Sequence, residues 1–363
     1  MTFLLKRKLN LVAKASLLLT TCCSMMLAGN ATAEVKLIYS TYTAKETASN
    51  QQYEAYLDEL AKRTNGAISV KDKFFSAALL KAGDHLQGVG RKLADVGYFC
   101  TGYTPALLPL TSMAELPYVA EKGDAVSAAL AELYETYEPL RREYNRQNVE
   151  LLAFDAPSST IIGVNKAINS PADLKGLKVR AYGDLGKIAQ VAVGMVPVPM
   201  GTSDIYTGLQ TGTIDGYLGI PLWMPAPENW LQHTKVIIAP GMGTYYSCGL
   251  VMNLDVYKSL PNSVKTEISK MRKEFPAKSI AFVEKGDAVT VAKAKELGVK
   301  FYKFSPEEIA DWKKKGNYDA LVIDWVKTRQ ARTDANVAEF SKLYQDAYRK
   351  YAPASKYEQK LPQ

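Results

Sequence analysis

Arg180 closes the run Gly176-Leu177-Lys178-Val179-Arg180 and is followed by Ala181-Tyr182-Gly183. The run reads as a strand, and in open α/β sheets small molecules sit beyond the carboxyl ends of strands. A guanidinium there offers a planar fork of N–H donors that can hold a carboxylate through two parallel bonds. A surface or interdomain salt bridge is the plain alternative for the same residue. Aromatic side chains gather near other strand ends: Tyr39, Tyr42, Tyr98, Phe99 and Tyr103 early in the chain, and Tyr217, Trp223 and Trp230 on a stretch stiffened by Pro221, Pro225 and Pro227. Such groups can wall a pocket and supply hydroxyl donors, or they can be ordinary core. The candidate binding set is Arg180, Tyr98, Phe99, Tyr42, Tyr39, Phe75, Ser159, Tyr182, Tyr217 and Trp223.

Catalytic and cofactor devices are missing from this pattern. The two histidines, His85 and His233, are far apart; His85 reads as a surface helix residue and His233 as a loop or helix-end residue. No H-E-x-x-H, paired C-x-x-C, Walker or dinucleotide glycine motif occurs, and no G-x-S-x-G elbow. We therefore expect a binder without metal or cofactor rather than an enzyme.

The elements that must position these residues come in two α/β runs. Val35–Ser40 reads as a strand, and Tyr53, Tyr56, Leu57, Leu60 and Ala61 recur at helical spacing before Gly66. Strands at 67–70 and 95–101 flank a helix over 84–92, the order of a parallel sheet. A helix over 124–134 and a strand over 149–154 follow. The pattern then restarts: strands over 160–165, 177–181 and 213–217, helices over 186–193 and 205–209, and further strands over 236–239 and 245–252. From residue 263 the chain reads as helical apart from 299–304. Two such runs with no linker between them predict two lobes and a cleft.

The first 33 residues stand apart. Lys6, Arg7 and Lys8 precede an apolar stretch, and Ala31-Thr32-Ala33 reads as a cleavage site. This is the pattern of a secretory signal cleaved after Ala33; lipidation at Cys22 or an uncleaved anchor are the rival readings. Removing it leaves 41 basic against 37 acidic residues, lowering the net charge from +8 to +4. A charge that small gives no nucleic-acid footprint. Cys100 and Cys248 remain, able to pair in an oxidising compartment or to serve as two buried small hydrophobes.

Four stretches carry a family resemblance: Leu60-Ala61-Lys62-Arg63-Thr64-Asn65-Gly66; Asp95-Val96-Gly97-Tyr98 with Tyr103-Thr104-Pro105 and Leu116-Pro117-Tyr118; Asp173 to Arg180; and Val198-Pro199 with Ile205 to Gly216. Together they resemble the TRAP-type solute-binding proteins, the DctP-like family. The resemblance implies an α/β, two-lobed periplasmic-binding-protein fold of the type II kind, with hinge strands and a ligand cleft. It implies a periplasmic protein that passes its ligand to a small and a large membrane subunit, and it matches Arg180 to the arginine that pairs with the ligand's carboxylate. We expect lobe I over 34–156 plus about 243–285, and lobe II over 157–242 plus about 286–363 as a helical tail. The chain departs from sugar-acid binders: their asparagine after the Asp-Gly turn is absent, with Gly219 nearest its place, and the loop Phe75-Ser76-Ala77-Ala78-Leu79 lacks the usual glutamine. That points to a less hydroxylated organic acid. A sensor subunit presenting ligand to a receptor, or a periplasmic enzyme on this scaffold, are the rival functions.

Overall fold

The computed structural model describes residues 34–155, 158–355 and 357–362; the expected export signal lies outside them. The first run comprises β1 (Val35–Ser40), α1 (Ala48–Arg63), β2 (Ile68–Phe74), α2 (His85–Gly90), β3 (Val96–Cys100), α3 (Gly123–Thr136), α4 (Glu138–Asn145) and β4 (Val149–Phe154). The second comprises β5 (Thr160–Val164), β6 (Lys178–Ala181), α5 (Gly183–Ala192), β7 (Val196–Pro199), α6 (Ile205–Gln210), β8 (Gly216–Pro221) and β9 (Val236–Ala239). The chain then returns through β10 (Cys248–Asn253), α7 (Leu254–Ser259), α8 (Asn262–Glu296), β11 (Lys300–Lys303), α9 (Pro306–Lys315), α10 (Tyr318–Gln330) and α11 (Val337–Tyr351).

Helix α1 shows how pattern becomes packing. Tyr53, Tyr56, Leu57 and Leu60 form its buried face, and Gly66 follows in the left-handed region at φ 77°. Its N–H caps the carbonyl of Ala61 at 2.8 Å, as a helix end requires.

Two sheets result, ordered β2-β1-β3-β10-β4 and β11-β9-β5-β8-β6-β7. Neither is purely parallel. β1 runs parallel to β3, and β6 parallel to both β7 and β8, but β10 is antiparallel to β3 and β4, and β5 to β8 and β9. The exceptions are the strands flanking the crossings between sheets, β4 to β5 and β9 to β10. A strand arriving from the other sheet runs against its new neighbours, which the strand–helix alternation does not reveal.

Each sheet has its own core. Phe99, Leu130, Tyr144 and Phe154 anchor the first, and Trp325, Phe340 and Tyr344 of α10 and α11 are buried in it as well. The expected helical tail of the second lobe thus packs in this part on the first, because the apolar face of α11 meets α3. Ile161, Tyr217, Trp223 and Trp230 anchor the second core, joined by Val283 and Ala294 of α8. The earlier part of α8 packs on α1, α3 and β4. The boundary expected near residue 285 therefore falls inside one continuous helix. His85 is fully buried, not a surface residue. The short α2 turns its first residue inward, where its ring meets Ser40 Oγ at 3.1 Å and the Lys81 carbonyl at 2.8 Å. Burial pushes its pKa down to about 4.

Candidate ligand cleft

Arg180 is the penultimate residue of β6, and its side chain is fully buried. Its Nε donates to the Met200 carbonyl at 3.0 Å, and Nη1 donates to the carbonyls of Leu218 and Gly219 at 3.1 and 3.2 Å. Nη2 donates to the Tyr103 hydroxyl at 2.8 Å. A guanidinium carries five N–H groups, so these four bonds leave one N–H, on Nη2. No carboxylate forms a salt bridge with Arg180 among the described residues. The rings of Tyr103 and Tyr182 stand 5.9 and 5.3 Å from its central carbon.

A β-bulge builds this carbonyl cradle. Opposite β5, the register slips so that Ile161 pairs with Ile220 and Ile162 with Leu218. Gly219 is the extra residue, at φ 79°, a conformation that glycine adopts without strain. The bulge turns two successive carbonyls toward one nitrogen. A Cβ on Gly219 would also lie 2.5 Å from the Tyr245 hydroxyl and 2.7 Å from Tyr182 Cβ.

The first sheet supplies the facing wall. Tyr42 and Tyr98 stack with ring centroids 5.1 Å apart, and Tyr103 lies edge-on to Tyr42. The Tyr98 hydroxyl donates to Asp155 at 3.1 Å, and Tyr53 and Gln52 donate to the same carboxyl. Burial raises the Asp155 pKa to about 7. Cys100 and Cys248 are opposite one another on β3 and β10 and form a disulfide, closing a question that sequence spacing left open.

The walls are stitched together. The Tyr182 hydroxyl donates to Glu115 at 2.9 Å and accepts from the Gly102 N–H at 3.0 Å. Gly102 permits that approach, since a Cβ there would lie 2.8 Å from the same hydroxyl. Burial raises Glu115 to about pKa 7. Between the walls lies a cavity of about 20 Å³ lined by Tyr42, Tyr98, Tyr103, Tyr182 and Tyr246 with the disulfide, Thr202 and residues 219–221. Arg180 stands one layer behind this lining, covered by Tyr103 and Tyr182.

Of the sequence candidates, Arg180, Tyr42, Tyr98 and Tyr182 converge here. The other six sit elsewhere. Tyr39 donates to Asn50 within the first lobe, edge-on to Phe75. Phe99 faces the opposite side of β3, packing on Tyr144 in the first core. Tyr217 bonds Thr234 and packs on Trp230 in the second core. Trp223 packs in that core and borders a separate surface groove with Phe282 and Val289. The Ser159 carbonyl accepts from Gln359, and both residues line a different pocket. Sequence reasoning missed Thr202, Glu115 and Tyr246 because nothing local marks them. It noted Tyr103 without ranking it; its place beside Arg180 is a contact 77 residues apart.

These features match known proteins. Residues 39–320 fit the DctP model, bacterial extracellular solute-binding protein family 7, and the chain belongs to that family. It is similar to the C4-dicarboxylate-binding periplasmic protein DctP of Rhodobacter capsulatus, 24% identical over 80% of this chain and 87% of that protein. A TRAP periplasmic solute-binding protein from Desulfovibrio salexigens, solved in an open form, is 27% identical with a TM-score of 0.72, covering 90% of this chain and 98% of that one. A TRAP solute-binding protein from Rhodoferax ferrireducens, solved with copurified benzoate, shares the fold at TM-score 0.78 and 21% identity, over 88% of this chain and 99% of that one. TRAP solute-binding proteins bind small molecules outside the cytoplasm and work with membrane subunits; they are not enzymes. No helix among the described residues is long and apolar enough to cross a membrane.

Proposed function

We propose that this protein captures a small organic carboxylate in the cleft, with Arg180 as the anion receptor, and delivers it to the small and large membrane subunits of a TRAP transporter. In this reading the protein reaches the periplasm by cleavage after Ala33. The observation that carries the proposal is a fully buried guanidinium with no acidic partner among the described residues. Burying a charge without a counter-charge is costly. Here backbone carbonyl dipoles offset part of the cost, and a bound anion supplies the rest.

Tyr103 belongs to one lobe and Arg180 to the other. Parting the lobes withdraws the Tyr103 hydroxyl and frees both N–H groups of Nη2; the hydroxyl oxygen marks where a carboxylate oxygen sits. The two-armed fork expected from sequence is narrowed to this nitrogen, because the bulge carbonyls occupy Nη1. A cavity of about 20 Å³ admits about one water, so ligand enters with the lobes apart, and contacts unique to the closed state favour closure. The ligands named for the Rhodobacter and Rhodoferax proteins, C4-dicarboxylates and benzoate, are carboxylates and agree with this reading.

Mass spectrometry of molecules released from the purified protein identifies the ligand, and titration calorimetry then tests Arg180→Ala. The expected loss is about 2–5 kcal/mol of binding free energy; unchanged affinity would discard the role of Arg180.

A further inference from the structure

We infer that the cleft selects a planar aromatic monocarboxylate over dicarboxylates and polyhydroxylated acids. This rests on Arg180 receiving the carboxylate and concerns the remainder of the ligand.

Hydroxyl use on the wall is the first argument. Tyr42 donates to Cys100 Sγ at 2.8 Å, Tyr98 to Asp155 and Tyr182 to Glu115. Tyr42, Tyr98 and Tyr182 therefore spend their hydroxyls on the protein and leave ring surface to the cavity. A sugar acid buried there would keep most of its hydroxyls unpaired, and each such group weakens binding. Three hydroxyls on the lining remain: Thr202 makes no hydrogen bond, Tyr246 lies toward Ser158 without completing one, and Tyr103 accepts from Arg180. They can serve a carboxylate and one further polar substituent, not a polyol.

Charge is the second argument. No lysine or arginine lines the cavity among the described residues, and Arg180 behind it is one cation. A second carboxylate would be buried unpaired, at high cost.

Shape is the third. Tyr42 stacked on Tyr98 faces the bulge at Gly219 across a space of about 20 Å³. A flat ring, at van der Waals separation of about 3.5–4.0 Å from each wall, demands the least parting of the lobes. Tyrosine faces and edges around it give ring contacts that a saturated ring of equal size lacks.

Titration calorimetry of the mature wild-type protein with benzoate, 3-hydroxybenzoate, cyclohexanecarboxylate, succinate and gluconate tests this. Benzoate or 3-hydroxybenzoate should bind at least about 10-fold more tightly than succinate and gluconate, and about 3- to 10-fold more tightly than cyclohexanecarboxylate. Tyr42→Leu should narrow the second gap. Tighter binding of succinate or gluconate, or equal binding of the saturated and aromatic rings, overturns the inference while leaving Arg180 as receptor. Failure of every carboxylate to bind overturns both readings.

Discussion

Three arginines are buried among the described residues, Arg180, Arg272 and Arg329, and the surroundings of the first two differ in kind. Arg272, on α8 in the first lobe, forms ion pairs with Glu135 and Glu150 and also donates to the Leu151 carbonyl. Arg180, near the end of β6, meets three carbonyls and a tyrosine hydroxyl. Arg272 is neutralised by its own chain and fastens α8 to α3 and β4. Arg180 is held by carbonyl dipoles and a tyrosine hydroxyl, with no acidic partner among the described residues. A buried arginine therefore says little until its acids are counted. Glu115 sharpens the point: it binds Tyr182 beside Arg180, yet burial raises its pKa to about 7, so near neutral pH it is no full counter-charge.

The largest expected effect is on stability. Arg272→Met strands two carboxylates, Glu150 buried and Glu135 partly so, and should cost about 3–5 kcal/mol of unfolding free energy. Arg180→Met also removes an uncompensated charge, and should cost less. Urea denaturation of both ligand-free variants measures this, and an equal or larger loss for Arg180 breaks the contrast.

Next comes Glu115→Gln. The folded state holds the Glu115 proton up to about pH 7, whereas the unfolded chain releases it near about pH 4.3. Its stabilising contribution is complete below the lower value and is lost as pH rises through the higher, about 2–4 kcal/mol in all. Asp155, Glu143, Glu228 and Asp287 are shifted the same way, so the variant should flatten the stability–pH curve without abolishing its slope. Gln preserves the acceptor for Tyr182, and ligand affinity at pH 7 should stay close to wild type. A large change in calorimetry would make Glu115 the missing counter-charge.

Gly219→Ala strains a left-handed residue and crowds Tyr245 and Tyr182. We expect a loss of about 1–3 kcal/mol in stability, with weaker ligand binding as the carbonyls leave Arg180. Unchanged thermal melting and affinity would remove the bulge from the site. The smallest effect belongs to Tyr103→Phe. Its hydroxyl competes with a carboxylate for Nη2, so the variant should bind benzoate tighter by about 0.5–1.5 kcal/mol. Weaker binding would show instead that the hydroxyl assists the anion.

Much of this was legible along the chain. The face of α1, its glycine stop, the strand ending in Arg180 and the two successive α/β runs are local patterns, and local patterns survive without coordinates. Tyr42, Tyr98 and Tyr182 lie near strand ends, where a sheet presents side chains to a cleft. Tyr217 and Trp223 shared that trait but turned into the second core, since alternation along a strand sends neighbours to opposite faces and aromatic content alone does not choose the face. His85 looked like a surface residue because its burial depends on how α2 lies over β1 and β3.

Residue order thus settled which side chains were available: one arginine at a strand end, abundant tyrosine, no catalytic or metal-binding motif, and glycine at 219. Folding settled which of them meet. The bulge at Gly219, the pairing of Cys100 with Cys248, the reach of Tyr103 to Arg180 and the lack of an acid beside that guanidinium among the described residues all depend on contacts between distant segments. Such contacts depend on sheet register and chain crossing, neither of which leaves a mark in a short stretch of sequence.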